Sequence, residues 1–305
     1  MKPEPIPTVV AAAPRGWRLW WVAIRPRTLT MAIAPVLVGT ALAWGQGAPI
    51  AWGPAVAALL AALAIQAGTN LHNDAADHER GNDTPERVGP LRVTAAGWAR
   101  SEAVRRAALV AFALALALGL YLVAVGGWPI LALGLASLIA GWAYSGGPRP
   151  ISHTPLGELF VLVFFGIVAV TGSHYLQSAT LAGSALLAGA ALGSFAAAVL
   201  MINNYRDLAD DLAVGRWTLA AVLGTTGARR AYAAMMLLPF VVPLLFAVGM
   251  PAHRGALLAL LVLPQSLSLV RRVACTEGAA LNALLAETAR TQLLFGALLA
   301  VGVSL

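Results

Sequence analysis

The chain has 305 residues, 59% of them hydrophobic and only 11% charged, with a formal net charge of +7. Soluble domains carry about a quarter charged residues, so a soluble globule is excluded and an integral membrane protein is indicated. The positive balance reads as topology signal and attraction to anionic lipid, with no nucleic acid among the expected partners; one cysteine, Cys275, excludes an internal disulfide framework and a zinc cluster.

Residues 1–14 are rich in Pro and Ala and are expected to be disordered. The Trp17, Trp20 and Trp21 cluster then reads as a membrane-surface anchor. Nine apolar stretches follow, most of them near the roughly 20 residues that cross a bilayer: 28–45, 53–73, 103–123, 129–146, 156–176, 183–204, 231–249, 255–270 and 286–304. The first is longer than the apolar part of a leader and is expected to be retained. Alternating patterns are absent, so the spans are helices. The expected fold is all-α, a polytopic membrane protein of nine transmembrane helices forming a single domain over 1–305.

With the N-terminus in the cytoplasm, only Arg254 of the 20 Lys and Arg residues falls outside, as the positive-inside rule requires. All 13 acidic residues also fall inside. Acidic residues contribute little to topology, so a working face on the cytoplasmic side of the inner (cytoplasmic) membrane is expected. The inner connections 74–102 and 205–230 are long and polar, whereas the outer ones are short, which marks the inner pair as active-site loops.

Two of these features coincide with matching acidic segments. One reads Asn70-Leu-His-Asn-Asp74-Ala-Ala-Asp77, the other Asn203-Asn-Tyr-Arg-Asp207-Leu-Ala-Asp210-Asp211, offset by the same 133 residues. Four helices separate them, so they share one orientation, as in a parallel repeat. Helical spacing brings Asn70, Asp74 and Asp77 to one face, and Asn203, Asp207 and Asp211 to another. Helix capping does not account for them, since anions are disfavoured at helix C-termini. Carboxylates beside a membrane are costly unless they bind something. Oxygen ligands of this kind suit Mg²⁺, and through it an anionic substrate such as a diphosphate; imidazole and thiolate sets for zinc or copper are missing. Arg80, Arg87, Arg92, Arg206 and Arg216 lie in or just after the acidic segments and suit phosphate oxygens. His72 faces away from Asp74 and Asp77 and reads as structural. Glu158 opens a helix, where an anion suits the dipole, and Tyr144 can stack on a cation or an aromatic ring.

These segments resemble the UbiA superfamily of intramembrane prenyltransferases over nearly the whole chain. The resemblance rests on Arg25-Pro-Arg-Thr-Leu29, on Asn70 through Arg92 with its R-x-G-P-x-R ending, on Tyr144-Ser-Gly-Gly-Pro-Arg-Pro-Ile151, on Leu156-Gly-Glu158, and on Asn203 through Asp211 followed by Gly215-Arg-Trp-Thr-Leu219. Within the superfamily the pattern is most similar to the branch that prenylates 1,4-dihydroxy-2-naphthoate. Ala75, Arg216 and His153 depart from residues common in that branch.

The resemblance implies nine helices around a central, lipid-open cavity. It implies Mg²⁺-dependent transfer of a polyprenyl chain from a polyprenyl diphosphate to an aromatic acceptor, here dihydroxynaphthoate, with decarboxylation to a demethylmenaquinone. Carried onto this sequence, Asp74, Asp77, Asp207 and Asp211 would be catalytic. Asn70, Asp74 and Asp77 would hold one Mg²⁺, and Asn203, Asp207 and Asp211 a second. Arg25, Arg80, Arg87, Arg92, Arg206 and Arg216 would bind diphosphate, and Tyr144 would face the acceptor or the allylic cation. Other acceptors such as 4-hydroxybenzoate preserve the superfamily reading. A lipid-phosphate transferase would leave the GGP and LGE segments unexplained, and an ion-coupled transporter would require discontinuous helices at the midplane, which are not evident.

Overall fold

The computed structural model describes residues 14–81, 88–89 and 92–305. The expected disorder of 1–14 therefore falls, but for Pro14, outside the described residues, as does Arg87. Every regular element described is helical. A short amphipathic piece, α1 (Trp17–Ala23), leaves Trp17 and Trp21 exposed. Arg25 then adopts φ 54°, ψ 71°, a left-handed conformation unusual for a residue with a side chain. Pro26, whose fixed φ suits a first helical turn, opens α2 (Pro26–Gly45). There follow α3 (Trp52–Glu79), α4 (Ser101–Ser145), α5 (Gly157–Ser178), α6 (Gly183–Arg206), the short α7 (Leu208–Ala213), α8 (Leu219–Gly249), α9 (Pro251–Ala274) and α10 (Gly278–Ser304).

Eight of these are long and apolar enough to cross a membrane, one fewer than the sequence predicts. The difference lies in α4. Its 45 residues would extend about 67 Å as a straight rod, twice a bilayer core. Both of its ends instead meet the C-terminal end of α3. Ser101 Oγ donates to Glu79 at 2.6 Å, and Arg80 Nη1 donates to the Ser145 carbonyl at 2.7 Å. The reversal falls at Gly127 (φ 70°, ψ −156°), ahead of Pro129. α4 is thus two antiparallel arms, and the described residues make nine passes.

The inner connections are shorter as loops than predicted. α3 remains helical to Glu79 within 74–102, and most of 205–230 belongs to α7 and α8. Packing between passes relies on small residues, which let backbones approach within a membrane. A Cβ at Gly166 of α5 would lie 2.2 Å from the Gly189 carbonyl and 2.4 Å from Gly193 Cα of α6. At the same place α5 loosens into a π-helical stretch, Val163–Val168. The densest apolar core lies among α6, α8 and α10, around the mutually packed rings of Phe195, Phe240 and Phe295. A cavity occupies the other side, along α2, α3, both arms of α4, and α5.

Candidate active site

The cavity measures about 360 Å³. Its outer part is walled by alanine, leucine and glycine, and its inner end by polar side chains of the two acidic segments. On α3 Gln66, Asn70 and Asn73 line the cavity, and Asp77, fully buried and not itself a lining residue, continues the same i, i+4, i+7, i+11 row behind Arg92 and Arg216. Asn70 Nδ2 donates to the Ile24 carbonyl (2.8 Å) and Thr28 Oγ1 (3.1 Å), which fixes the turn carrying Arg25. Asn73 donates to Ser145 Oγ (3.0 Å) and Asp77 (3.3 Å) and accepts from Arg92 (3.2 Å).

Asp77 is fully buried and pairs with Arg92 at 2.6 Å. His153 Nε2 lies 3.8 Å from it. Arg216 Nη1 stands between the two segments, 3.2 Å from Asp211 and 4.0 Å from Asp77. Gly215, at φ 74°, turns the chain after α7 so that Arg216 faces inward. Its Nη2 donates to the Ser152 carbonyl at 3.3 Å. α6 ends at Arg206 and Asp207 caps it with φ −92°, ψ 11°, so the second segment is a helix end, a bend and α7 rather than one continuous helix. Asn203, Asn204, Asp207 and Asp211 nevertheless all line the cavity. Burial pushes the Asp211 carboxyl up to about 6, against the opposing pull of Arg216.

Among the described residues no three carboxylate or imidazole side chains gather at one point. Carboxylates alternate with guanidinium groups instead. The donors are all oxygens, which suits a hard cation. A cation, the Arg216 guanidinium, already bridges Asp77 and Asp211. The Asp77 and Asp211 carboxylates that face this guanidinium are oxygen donors of the kind that would suit a divalent ion.

The model of the UbiA prenyltransferase family matches residues 32–298. The chain belongs to that family. It is 42% identical over 226 residues to the 1,4-dihydroxy-2-naphthoate octaprenyltransferase of Escherichia coli, covering 72% of each chain. It is 32% identical over 292 residues to the enzyme of the same name from Bacillus subtilis, covering 93% of this chain and 92% of the relative. A UbiA homologue from Archaeoglobus fulgidus, solved bound to GPP and Mg²⁺, superposes with a TM-score of 0.66 at 15% identity over 94% of this chain and 99% of the other.

Against this UbiA-family frame, several residues expected at the site lie elsewhere. Asp74 does not face the cavity. One step around the helix from Asn73, it accepts from the Val93 amide (3.1 Å), the Thr94 amide (3.2 Å) and Thr94 Oγ1. It pins the 92–94 strand of loop, and that pinning presents Arg92 to Asp77. Helical spacing places Asp74 near Asp77 but does not reveal which side of the helix the returning loop would take. Arg80 reaches the Ser145 and Gly147 carbonyls (2.7 and 3.0 Å) and straps the GGP turn. Arg206 is buried against Asp207 (2.5 Å), Asn203 (3.0 Å) and Asn282 (2.7 Å), tying α6 to α10. Neither Arg80 nor Arg206 lines the cavity, whereas Arg25, Arg92, Arg216 and Tyr144 do.

Sequence reasoning passed over Asn73, Asn204 and His153. The row through Gln66, Asn70, Asn73 and Asp77 was available as a signal for the first. Glu158, read as a helix-dipole anion, is buried and accepts from Asn204 Nδ2 at 2.9 Å, so it holds a cavity-lining amide. His72 stacks on Trp142, with centroids 6.2 Å apart and planes 15° from parallel.

Proposed function

We propose that this UbiA-family membrane protein transfers a polyprenyl group from its diphosphate to 1,4-dihydroxy-2-naphthoate, with decarboxylation to a demethylmenaquinol, the reduced form of a demethylmenaquinone. The observation that carries the reading is one continuous cavity with two chemistries. Its inner end alternates carboxylate and guanidinium, and its remainder is hydrocarbon-lined inside the bilayer. That is the shape of a diphosphate head on a prenyl tail. The relatives named for dihydroxynaphthoate supply the acceptor.

In this reading Asp77 and Asp211, with Asp207, Asn70 and Asn203 alongside, would hold Mg²⁺, which would supply charge neutralisation to the leaving diphosphate. Arg216, Arg92 and Arg25 bind the phosphate oxygens. Asp74 acts at one remove, by holding the loop that bears Arg92. The bond from the diphosphate oxygen to prenyl C1 breaks, and C1 bonds to the ring carbon that carries the carboxylate. That carboxylate leaves as CO₂, and its electron pair restores the aromatic ring. The Tyr144 ring faces the allylic centre, and the apolar walls exclude water that would otherwise capture it. The site opens on the cytoplasmic side of the inner membrane, consistent with the skew of Lys and Arg.

The deciding experiment is a product assay on purified protein in detergent with Mg²⁺, farnesyl diphosphate and either dihydroxynaphthoate or 4-hydroxybenzoate, read by mass. A prenylated, decarboxylated naphthalene that disappears with EDTA is expected. Product from hydroxybenzoate alone would overturn the choice of acceptor.

A further inference from the structure

Gln66 is 6% exposed, sits within the membrane span of α3 and lines the cavity. Its carboxamide makes no hydrogen bond among the described residues, yet neither of its polar atoms is sealed from the cavity as the orphaned buried atoms elsewhere are. Neighbouring hydroxyls are spent differently. Thr69 Oγ1 donates to Ile65 (2.8 Å), Ser137 Oγ to Leu133 (2.8 Å) and Thr28 Oγ1 to Arg25 (3.0 Å), all carbonyls of their own segments. An amide kept unsatisfied at this depth is costly and marks a ligand contact.

The position narrows the ligand. Gln66 is one helical turn, about 6 Å, further into the bilayer than Asn70 on the same stripe. A prenyl tail has no polar group to offer there. A phenolic ring does, with its reacting carbon at the level of Asn70 and a hydroxyl reaching inward. We propose that Gln66 hydrogen-bonds the acceptor hydroxyl remote from the carboxylate, Oε1 accepting from it, and thereby sets which ring carbon meets prenyl C1. The inference rests on the acceptor reading above and makes Gln66 its specificity-determining contact.

The test is steady-state kinetics of Gln66→Leu and Gln66→Asn with farnesyl diphosphate, Mg²⁺ and two acceptors, dihydroxynaphthoate and 1-hydroxy-2-naphthoate, which lacks the remote hydroxyl. For Gln66→Leu, kcat/KM for dihydroxynaphthoate should fall about 100-fold, the scale on which sites built for a hydroxyl discriminate. KM for the diphosphate should stay within about twofold. Wild type and Gln66→Leu should become equal on 1-hydroxy-2-naphthoate, and Gln66→Asn should recover part of the loss. The Tm of ligand-free Gln66→Leu should not drop, because no protein hydrogen bond is removed. An unchanged kcat/KM, or a parallel loss on both acceptors with a lowered Tm, would overturn the inference and leave the acceptor reading standing. Wild type that makes no prenylated naphthalene would overturn both.

Discussion

Asp77 and Asp74 sit three residues apart and have separate duties. Asp77 and Asp211 share the Arg216 guanidinium at the cavity end, so Asp77→Asn or Asp211→Asn should lower kcat by about 10²–10³-fold, the range seen when one group stabilising developing charge is lost. Thr94→Val tests the other duty. It removes one of the bonds that hold Asp74, a loss of about 1.5–3 kcal/mol for a bond to a charged group. The expected signature is a lowered Tm together with weaker donor binding as Arg92 loosens. Asp211 also makes a pH prediction. Its carboxyl titrates near 6 in the fold and at 3.8 unperturbed. Between these values the unfolded chain is ionised while the folded site still holds its proton, so this residue's contribution to stability declines as pH rises from about 4 to 6. A metal ion selects the ionised form. Thermal stabilisation by Mg²⁺ should accordingly be larger at pH 7.5 than at pH 5.5, measured by differential scanning fluorimetry. The motif residues were legible in the sequence because intramembrane carboxylates are rare. Which of them face the cavity was not, because Asp74, Arg80 and Arg206 are claimed by loop carbonyls, amides and side chains that only the tertiary fold delivers.

At the scale of elements, hydropathy located the passes, and the reversal at Gly126–Trp128 emerged from a short break between apolar stretches. The bend at Asp207 did not, since it falls in a polar segment with no glycine or proline to mark it, nor did the π-helical turn of α5, which leaves the apolar pattern unbroken. α4 offers the clearest element-scale test. Its two arms line the cavity, and a Cβ at Gly119 or Gly134 would meet nothing within 4 Å. Gly134→Phe should fill that space and shift preference toward shorter donors. Turnover with farnesyl diphosphate should persist while that with an octaprenyl donor falls by about an order of magnitude, the rough scale of 1–3 kcal/mol for misfitting hydrocarbon. Equal effects on both lengths would show that the tail runs elsewhere.

The whole molecule is asymmetric across the bilayer. Aromatic side chains mark both boundaries, with Trp44, Trp52 and Trp128 exposed at one end and Trp17, Trp21 and Trp217 at the other. Cys275, just beyond the C-terminal end of α9, is exposed and is the chain's single cysteine. A membrane-impermeant maleimide should label it in inverted vesicles and leave it untouched in intact cells; the opposite pattern would reverse the proposed orientation.

The salt bridge of Arg216 to Asp211, with Asp77 close by, has a consequence for the order in which ligands arrive. The resting site already owns a counter-ion, so a divalent cation entering alone must evict it. The evicted guanidinium finds comparable negative charge only once a diphosphate is present. On the proposed function, metal and donor should therefore bind cooperatively, each tightening the other by the same factor. Calorimetry should find weak Mg²⁺ binding to the protein alone and much tighter binding with a prenyl thiodiphosphate present, and Arg216→Ala should abolish most of that difference. On that reading Arg216 would work as a latch, disfavouring a half-loaded site in the membrane and released by the cargo itself.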